Sequence, residues 1–189
     1  IKVDKSPKIF TNKNSEIIKK NLPFNLTNDQ EKVLNEINQD LLSNKRMFRI
    51  IQGDVGSGKT IVSLLSILNV IKSGYQCALM SPTEILAKQH YILIKKIFKN
   101  ENFDIEFLTG KTEYKLRKVI LTNLLTGKIK LLIGTHALFQ KKINFNKLGL
   151  VVIDEQHKFG VKQRSDLAKK GGDECDVLLM SATPIPRTM

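Results

Sequence analysis

Tryptophan is absent from this chain and aromatic residues make up only 6% of it, so no set of rings on which flat ligands could stack is evident. Cysteine is almost as scarce. Cys77 and Cys175 lie in or beside predicted strands and lack metal-site spacing, which leaves buried, reduced structural thiols of a cytoplasmic protein as the reading. His90, His136 and His157 are scattered, so a zinc site is not expected. No apolar run reaches the roughly 18 residues that a membrane-spanning helix needs, and no membrane partner is expected. Acid is in short supply too: 18 Asp and Glu stand against 31 Lys and Arg, for a formal net charge of +13. Such an excess favours a polyanionic partner. Because 26 of the 31 basic residues are lysine, part of the excess reflects composition alone. Its distribution is more telling, with eight basic residues and a single acid, Glu113, between residues 111 and 142.

What is present is an alternating pattern. Apolar stretches near 47–52, 76–81, 104–108, 130–134, 148–153 and 176–181 read as strands, and stretches near 28–43, 59–73, 84–99, 112–126 and 162–170 as helices. Alternation of this kind predicts an α/β fold whose mostly parallel sheet is covered by helices on both faces. A length of 189 residues suits one such domain, burying roughly 70% of its unfolded surface. Gly74 and Gly127 stand just past two predicted helices, where a left-handed residue is often needed. Residues 1–22 are polar and lysine-rich and are expected to be a connector, with a short helix possible over Ser15 to Lys20. Since the first residue is Ile1, the true N-terminus is expected to lie upstream.

Two strand ends carry chemistry. Gly53-Asp54-Val55-Gly56-Ser57-Gly58-Lys59-Thr60 fits the phosphate-loop pattern without a gap and lies between a predicted strand and an apolar helix. Its glycines let successive backbone N–H groups turn inward on phosphates, and the following helix presents its positive end to them. Lys59 is expected on the outer phosphates and the Thr60 hydroxyl on Mg²⁺. The apolar strand Leu150 to Ile153 then runs into Asp154 and Glu155. The first acid at such a position holds Mg²⁺ and the second polarises the attacking water. A guanine-specific site would need N-K-x-D, and Asn146-Lys147-Leu148-Gly149 lacks the aspartate. A non-catalytic nucleotide-binding module fits poorly, since binding alone would not demand Glu155. Thr27 and Gln30 read as a capping box.

These stretches, with Leu22-Pro23-Phe24, Ser81-Pro82-Thr83-Glu84-Ile85-Leu86-Ala87, Gln89-His90, Leu108-Thr109-Gly110, Gly134-Thr135-His136-Ala137-Leu138, Asp154-Glu155-Gln156-His157, Phe159-Gly160-Val161 and Ser181-Ala182-Thr183-Pro184-Ile185-Pro186-Arg187-Thr188, resemble the first motor domain of superfamily 2 DNA helicases. Within them the likeness is to the RecG family of branched-DNA helicases. The related transcription-repair coupling factors usually carry DEEQ where this chain has DEQH, so His157 favours the RecG family; PriA-type helicases are a further alternative. Lys158 departs from the family's usual arginine, keeping the charge but lacking the planar fork of a bidentate contact.

The resemblance implies a RecA-like P-loop domain over residues 23–189, ATP and Mg²⁺ as cofactors, and DNA as partner. It implies adenine recognition by Gln30, favoured over the capping role, with Phe24 close to the base. It also implies phosphate contacts to one DNA strand from Pro82, Thr83, Thr109, Gly110, Thr135 and His136. In the family His157 senses the γ-phosphate, and Ser181 and Thr183 couple hydrolysis to movement. A second motor lobe, supplying the arginines of the ATP site, and an upstream wedge domain are expected outside this sequence.

Overall fold

Successive residues of a strand face opposite sides of its sheet, and here both sides of the inner strands are apolar. The structure, a computed structural model, describes residues 4–11, 13–155, 158, 169–170 and 172–182. Its strands are β1 (Phe48–Gln52), β2 (Gln76–Met80), β3 (Asp104–Leu108), β4 (Ile129–Gly134), β5 (Leu148–Ile153) and β6 (Asp176–Ser181). They form one sheet in the order β1-β6-β5-β2-β4-β3, and every pairing is parallel. A wholly parallel sheet must be covered on both faces, and the core divides accordingly. Cys77, Leu79, Leu131, Ile133, Leu150, Val152, Leu178 and Met180 belong to one apolar cluster. Their neighbours Ala78, Met80, Leu132, Val151, Ile153, Val177 and Leu179 belong to the other.

Helices α1 (Lys13–Asn21), α2 (Asn28–Leu42), α3 (Lys59–Lys72) and α4 (Glu84–Ile97) contribute to the first cluster, and α5 (Tyr114–Leu125) to the second. Every residue of α3 from Ile61 to Ile71 is buried, as expected of a helix that is apolar all round and covered on all sides. Gly74 and Gly127 take φ of 88° and 78° just after α3 and α5, the left-handed conformation their positions demanded. Most of the helix expected over 162–170 lies outside the described residues. Among the described residues no helix is long and apolar enough to cross a membrane.

Of the stretch read as a connector, residues 4–11 and α1 pack on the lobe. Lys5 and Lys8 place their Nζ atoms 3.1 and 2.6 Å from Asp176 Oδ2, with all three side chains fully buried. Asp176 Oδ1 accepts from the Met47 N–H at 2.6 Å. Two ammonium groups and an amide thus compensate one buried carboxylate, the condition for burying charge without a large penalty. Burial holds the Lys5 ammonium below its usual range although Asp176 pulls it upward. Nearby, burial pushes the Glu174 carboxyl up, but hydrogen bonds from Ser6 and Tyr75 and the charge of Lys8 outweigh it and leave the group below its usual value.

Candidate functional site

Parallel strands put all their carboxyl ends on one side, where open α/β sheets bind ligands. Along that edge the sheet order gives Gly53 after β1, then Ser181 ending β6, Asp154 after β5, Ser81 after β2, Thr135 after β4 and Thr109 after β3. Two groups of residues interleaved in sequence are thereby sorted. The phosphate-loop pattern and the paired acids occupy the half built by β1, β6 and β5; residues 81–83, 109–110 and 135–136 occupy the half built by β2, β4 and β3. Backbone bonds stitch the edge, with Gly53 N–H donating to Ser181 O at 3.3 Å, Asp154 N–H to Met80 O at 2.8 Å and Ser81 N–H to Gly134 O at 3.0 Å.

A cleft of about 500 Å³ opens beside β1, lined among others by Thr27, Gln30, Gly53, Asp54, Gly56, Ser57 and Lys59. Gly58 caps α3 at φ 79°, a left-handed conformation that favours glycine, and a Cβ there would displace the Gln30 amide, whose Nε2 it would meet at 2.1 Å. Gly56 is also left-handed, at φ 83°. Lys59 Nζ donates to the Asp54 carbonyl at 2.7 Å and to that of Gly53. The ammonium thus lies within the loop, where an anion would draw it outward. Val55 is 88% exposed at the loop tip, and Thr60 is half-buried in the first turn of α3.

Gln30 serves two structures at once. Its Oε1 accepts from the Thr27 N–H at 2.9 Å, while its own N–H donates to Thr27 Oγ1 at 3.3 Å; that completes the capping box of α2. Its Nε2 donates to Ser57 O at 2.8 Å. One acceptor position and one N–H of the amide are left over, enough for a purine edge. Phe24 is half exposed, at 51%, and is not among the residues lining the cleft.

Asp154 and Glu155 follow β5 and are both half-buried. Asp154 Oδ1 accepts from the Glu155 N–H at 2.9 Å, and Glu155 stands at φ 48°, a left-handed conformation rarely adopted outside glycine. Asp154 Oδ2 lies 2.8 Å from His90 Nε2, a partner on α4 to which the sequence reading assigned no role. The only signal was that Gln89-His90 belonged to a string of residues shared with the helicases. His157 and Thr183 lie outside the described residues.

On the other half, the hydroxyls of Thr83 and Thr109 have local duties. Thr83 Oγ1 caps α4 by accepting from the Leu86 N–H. Thr109 Oγ1 accepts from the Lys111 N–H at 3.2 Å, and Thr109 is 4% exposed. Thr135 is 1% exposed, and its hydroxyl, like that of Ser81, is buried without a partner among the described residues. The groups open to solvent here are Thr83, Gly110 and His136, with Pro82 half-buried. Arg117, also unassigned from sequence, joins the Thr109 carbonyl to the side chain of Gln140.

The family model described as DEAD/DEAH box helicase matches residues 27–189. The ATP-dependent DNA helicase RecG of Synechocystis is 54% identical over 168 residues, covering 89% of this chain and 20% of that protein. Its Bacillus subtilis counterpart is 52% identical over 170 residues, covering 90% of this chain and 25% of that one. A solved structure of RecG bound to a three-way DNA junction superimposes with a TM-score of 0.87 at 45% identity, over 98% of this chain and 25% of the other. The chain therefore spans a quarter or less of the length of these relatives.

Proposed function

This chain belongs to the DEAD/DEAH box helicase family, and we propose that it is the ATP-binding first motor lobe of a RecG-type DNA helicase. That enzyme remodels branched DNA, such as stalled forks and recombination junctions, by ATP-driven translocation. The observation that carries the reading is the sorted sheet edge, with the phosphate loop and acid pair on one half and residues 81–83, 109–110 and 135–136 on the other. Relatives named as ATP-dependent DNA helicases, and one solved on a three-way junction, support it. Residues 23–189 form the lobe, 1–22 lead in from an upstream wedge domain, and a second lobe completes the motor. Two buried thiols without a disulfide suit the cytoplasm.

In this mechanism ATP enters between Gln30 and the phosphate loop, with the base against the amide of Gln30 and near Phe24. The loop N–H groups and the start of α3 hold the phosphates, and Lys59 turns outward onto the β- and γ-phosphates. Thr60 and Asp154 offer hard oxygen donors that suit Mg²⁺, which when bound would neutralise charge on the outer phosphates. Glu155 accepts a proton from the attacking water. His157 senses the γ-phosphate, and Ser181 and Thr183 carry the change toward the DNA half. There Pro82, Thr83, Gly110 and His136 offer the exposed groups that grip one strand at its phosphates, with Thr109 and Thr135 buried directly beneath them and supporting the contact, and so without reading sequence. The lobe alone turns ATP over slowly, because an arginine finger of the second lobe contributes roughly 10³ to 10⁵ in rate.

The test uses the full-length protein. ATP hydrolysis stimulated by a three-way junction is expected for the wild type, and Lys59→Ala is expected to abolish ATP binding by calorimetry. Equal ATP affinity before and after the substitution would overturn the site. Hydrolysis indifferent to branched DNA would overturn the RecG-type reading.

A further inference from the structure

The acid expected to hold Mg²⁺ is gripped from the helix that begins at the DNA half. Asp154 Oδ2 lies 2.8 Å from His90 Nε2, and the two side chains are only 14% and 11% exposed. An ionised carboxylate can only accept, so Nε2 carries the proton of this bond. The other oxygen, Oδ1, accepts from the Glu155 N–H at 2.9 Å. Each carboxylate oxygen therefore has one donor and retains capacity for a cation, and the plane of the group is set from two directions.

His90 owes its orientation to helix geometry. Ala87 and Ile94 are fully buried, and residues three and four apart share a helix face, so His90 lies on the stripe of α4 that faces the sheet. The helix starts at Thr83, whose hydroxyl is its N-cap and which belongs to the proposed strand-binding set. His90 lies seven residues on, roughly 10 Å along the axis at about 1.5 Å per residue. The backbone closes the ring from the other side, since Asp154 N–H donates to Met80 O at 2.8 Å and Met80 ends the strand that leads through Ser81 and Pro82 into α4. One packed helix and one hydrogen bond thus connect the start of α4 to the carboxylate of Asp154.

Resting on the ATP reading above, we propose that His90 is a positioning residue for Asp154 and that α4 couples strand binding to the metal site. Coupling of this kind is reciprocal: with ADP bound, the metal changes the affinity of the lobe for the strand by the same factor that the strand changes metal affinity.

The experiment measures Mn²⁺ affinity of the full-length protein with ADP by electron paramagnetic resonance, with and without single-stranded oligothymidylate. His90→Ala is expected to weaken Mn²⁺ binding about 10- to 100-fold, the usual cost of losing a group that orients a metal ligand. ADP affinity in the presence of a chelator stays the same, and the response of Mn²⁺ affinity to the strand disappears. His90→Gln, which keeps a donor at similar reach, is expected to restore both. A folded His90→Ala protein with wild-type Mn²⁺ affinity and wild-type strand response overturns the proposal, as does a His90→Gln protein no better than His90→Ala. A wild-type protein that takes up no Mn²⁺ with ADP would overturn the ATP reading and this proposal together.

Discussion

The Gln30 amide donates to the carbonyl of Ser57 at 2.8 Å, tying the first turn of α2 to the phosphate loop. Its oxygen is held by the Thr27 N–H at 2.9 Å, so helix cap and loop share one side chain. Gln30→Glu keeps the capping oxygen but loses the donor and sets a negative charge beside the loop. It is expected to unfold within a degree or two of the wild type and to bind ATP at least about ten-fold more weakly. Gln30→Ala loses both functions and is expected to cost about 1 kcal/mol of stability as well. Calorimetry alongside thermal unfolding separates the two effects, and unchanged ATP affinity in Gln30→Glu would rule out adenine recognition by this amide.

Lys111, Lys115 and Lys118 are all exposed beside Gly110 or on α5. Lys111 pairs with Glu84 at 3.1 Å, but its side chain is 85% exposed, and a surface pair of this kind is readily exchanged for a phosphate. Log affinity for single-stranded DNA falls by about 0.7 per neutralised phosphate with log salt. Replacing all three with glutamine is therefore expected to flatten the slope by about 2. A fluorescence-anisotropy titration across salt concentrations checks it; an unchanged slope would make these lysines a merely solvated face.

Asp176→Ala would leave the buried ammonium groups of Lys5 and Lys8 without their carboxylate and the Met47 N–H without its acceptor. Breaking a buried charge network by removing one member costs about 3–5 kcal/mol. Urea denaturation should show a loss of that size, with residues 4–11 released to protease before the rest of the lobe. A loss under about 1 kcal/mol would mean that water reaches the lysines and the anchor is weak.

Burial pushes the Cys175 thiol up to about 12 and raises Cys77 as well. The thiolate is the reactive form, and burial disfavours it at both positions. Neither residue should be alkylated by iodoacetamide in the native protein at about pH 8, and both should react in urea. Mass spectrometry reads the outcome, and rapid native labelling would place a thiol at the surface.

Local pattern alone made the strands, the helices over 28–43, 59–73, 84–99 and 112–126, the phosphate loop and the acid pair legible, because each rests on residues adjacent in the chain or one helical turn apart. The capping box was legible for the same reason, and Gly74 and Gly127 marked helix ends because only a left-handed residue serves there. The second use of Gln30 was not, since Ser57 stands in another element. Nor was the burial of Thr135, whose hydroxyl looked available for phosphate until β4 carried it beneath the surface.

What the amino-acid order determined by itself was the set of parts: six apolar strands, each ending in a short polar string able to meet a ligand. Only the tertiary structure decided which strings stand together. The order β1-β6-β5-β2-β4-β3 sets the first and last strands side by side and separates Asp154 from the phosphate loop by β6 alone. The same packing brings His90 to Asp154 and Lys5 to Asp176 across long stretches of chain. Such contacts leave no local periodicity to read, because they arise when a sheet buried on both faces closes loops whose entropic cost grows only slowly with their length.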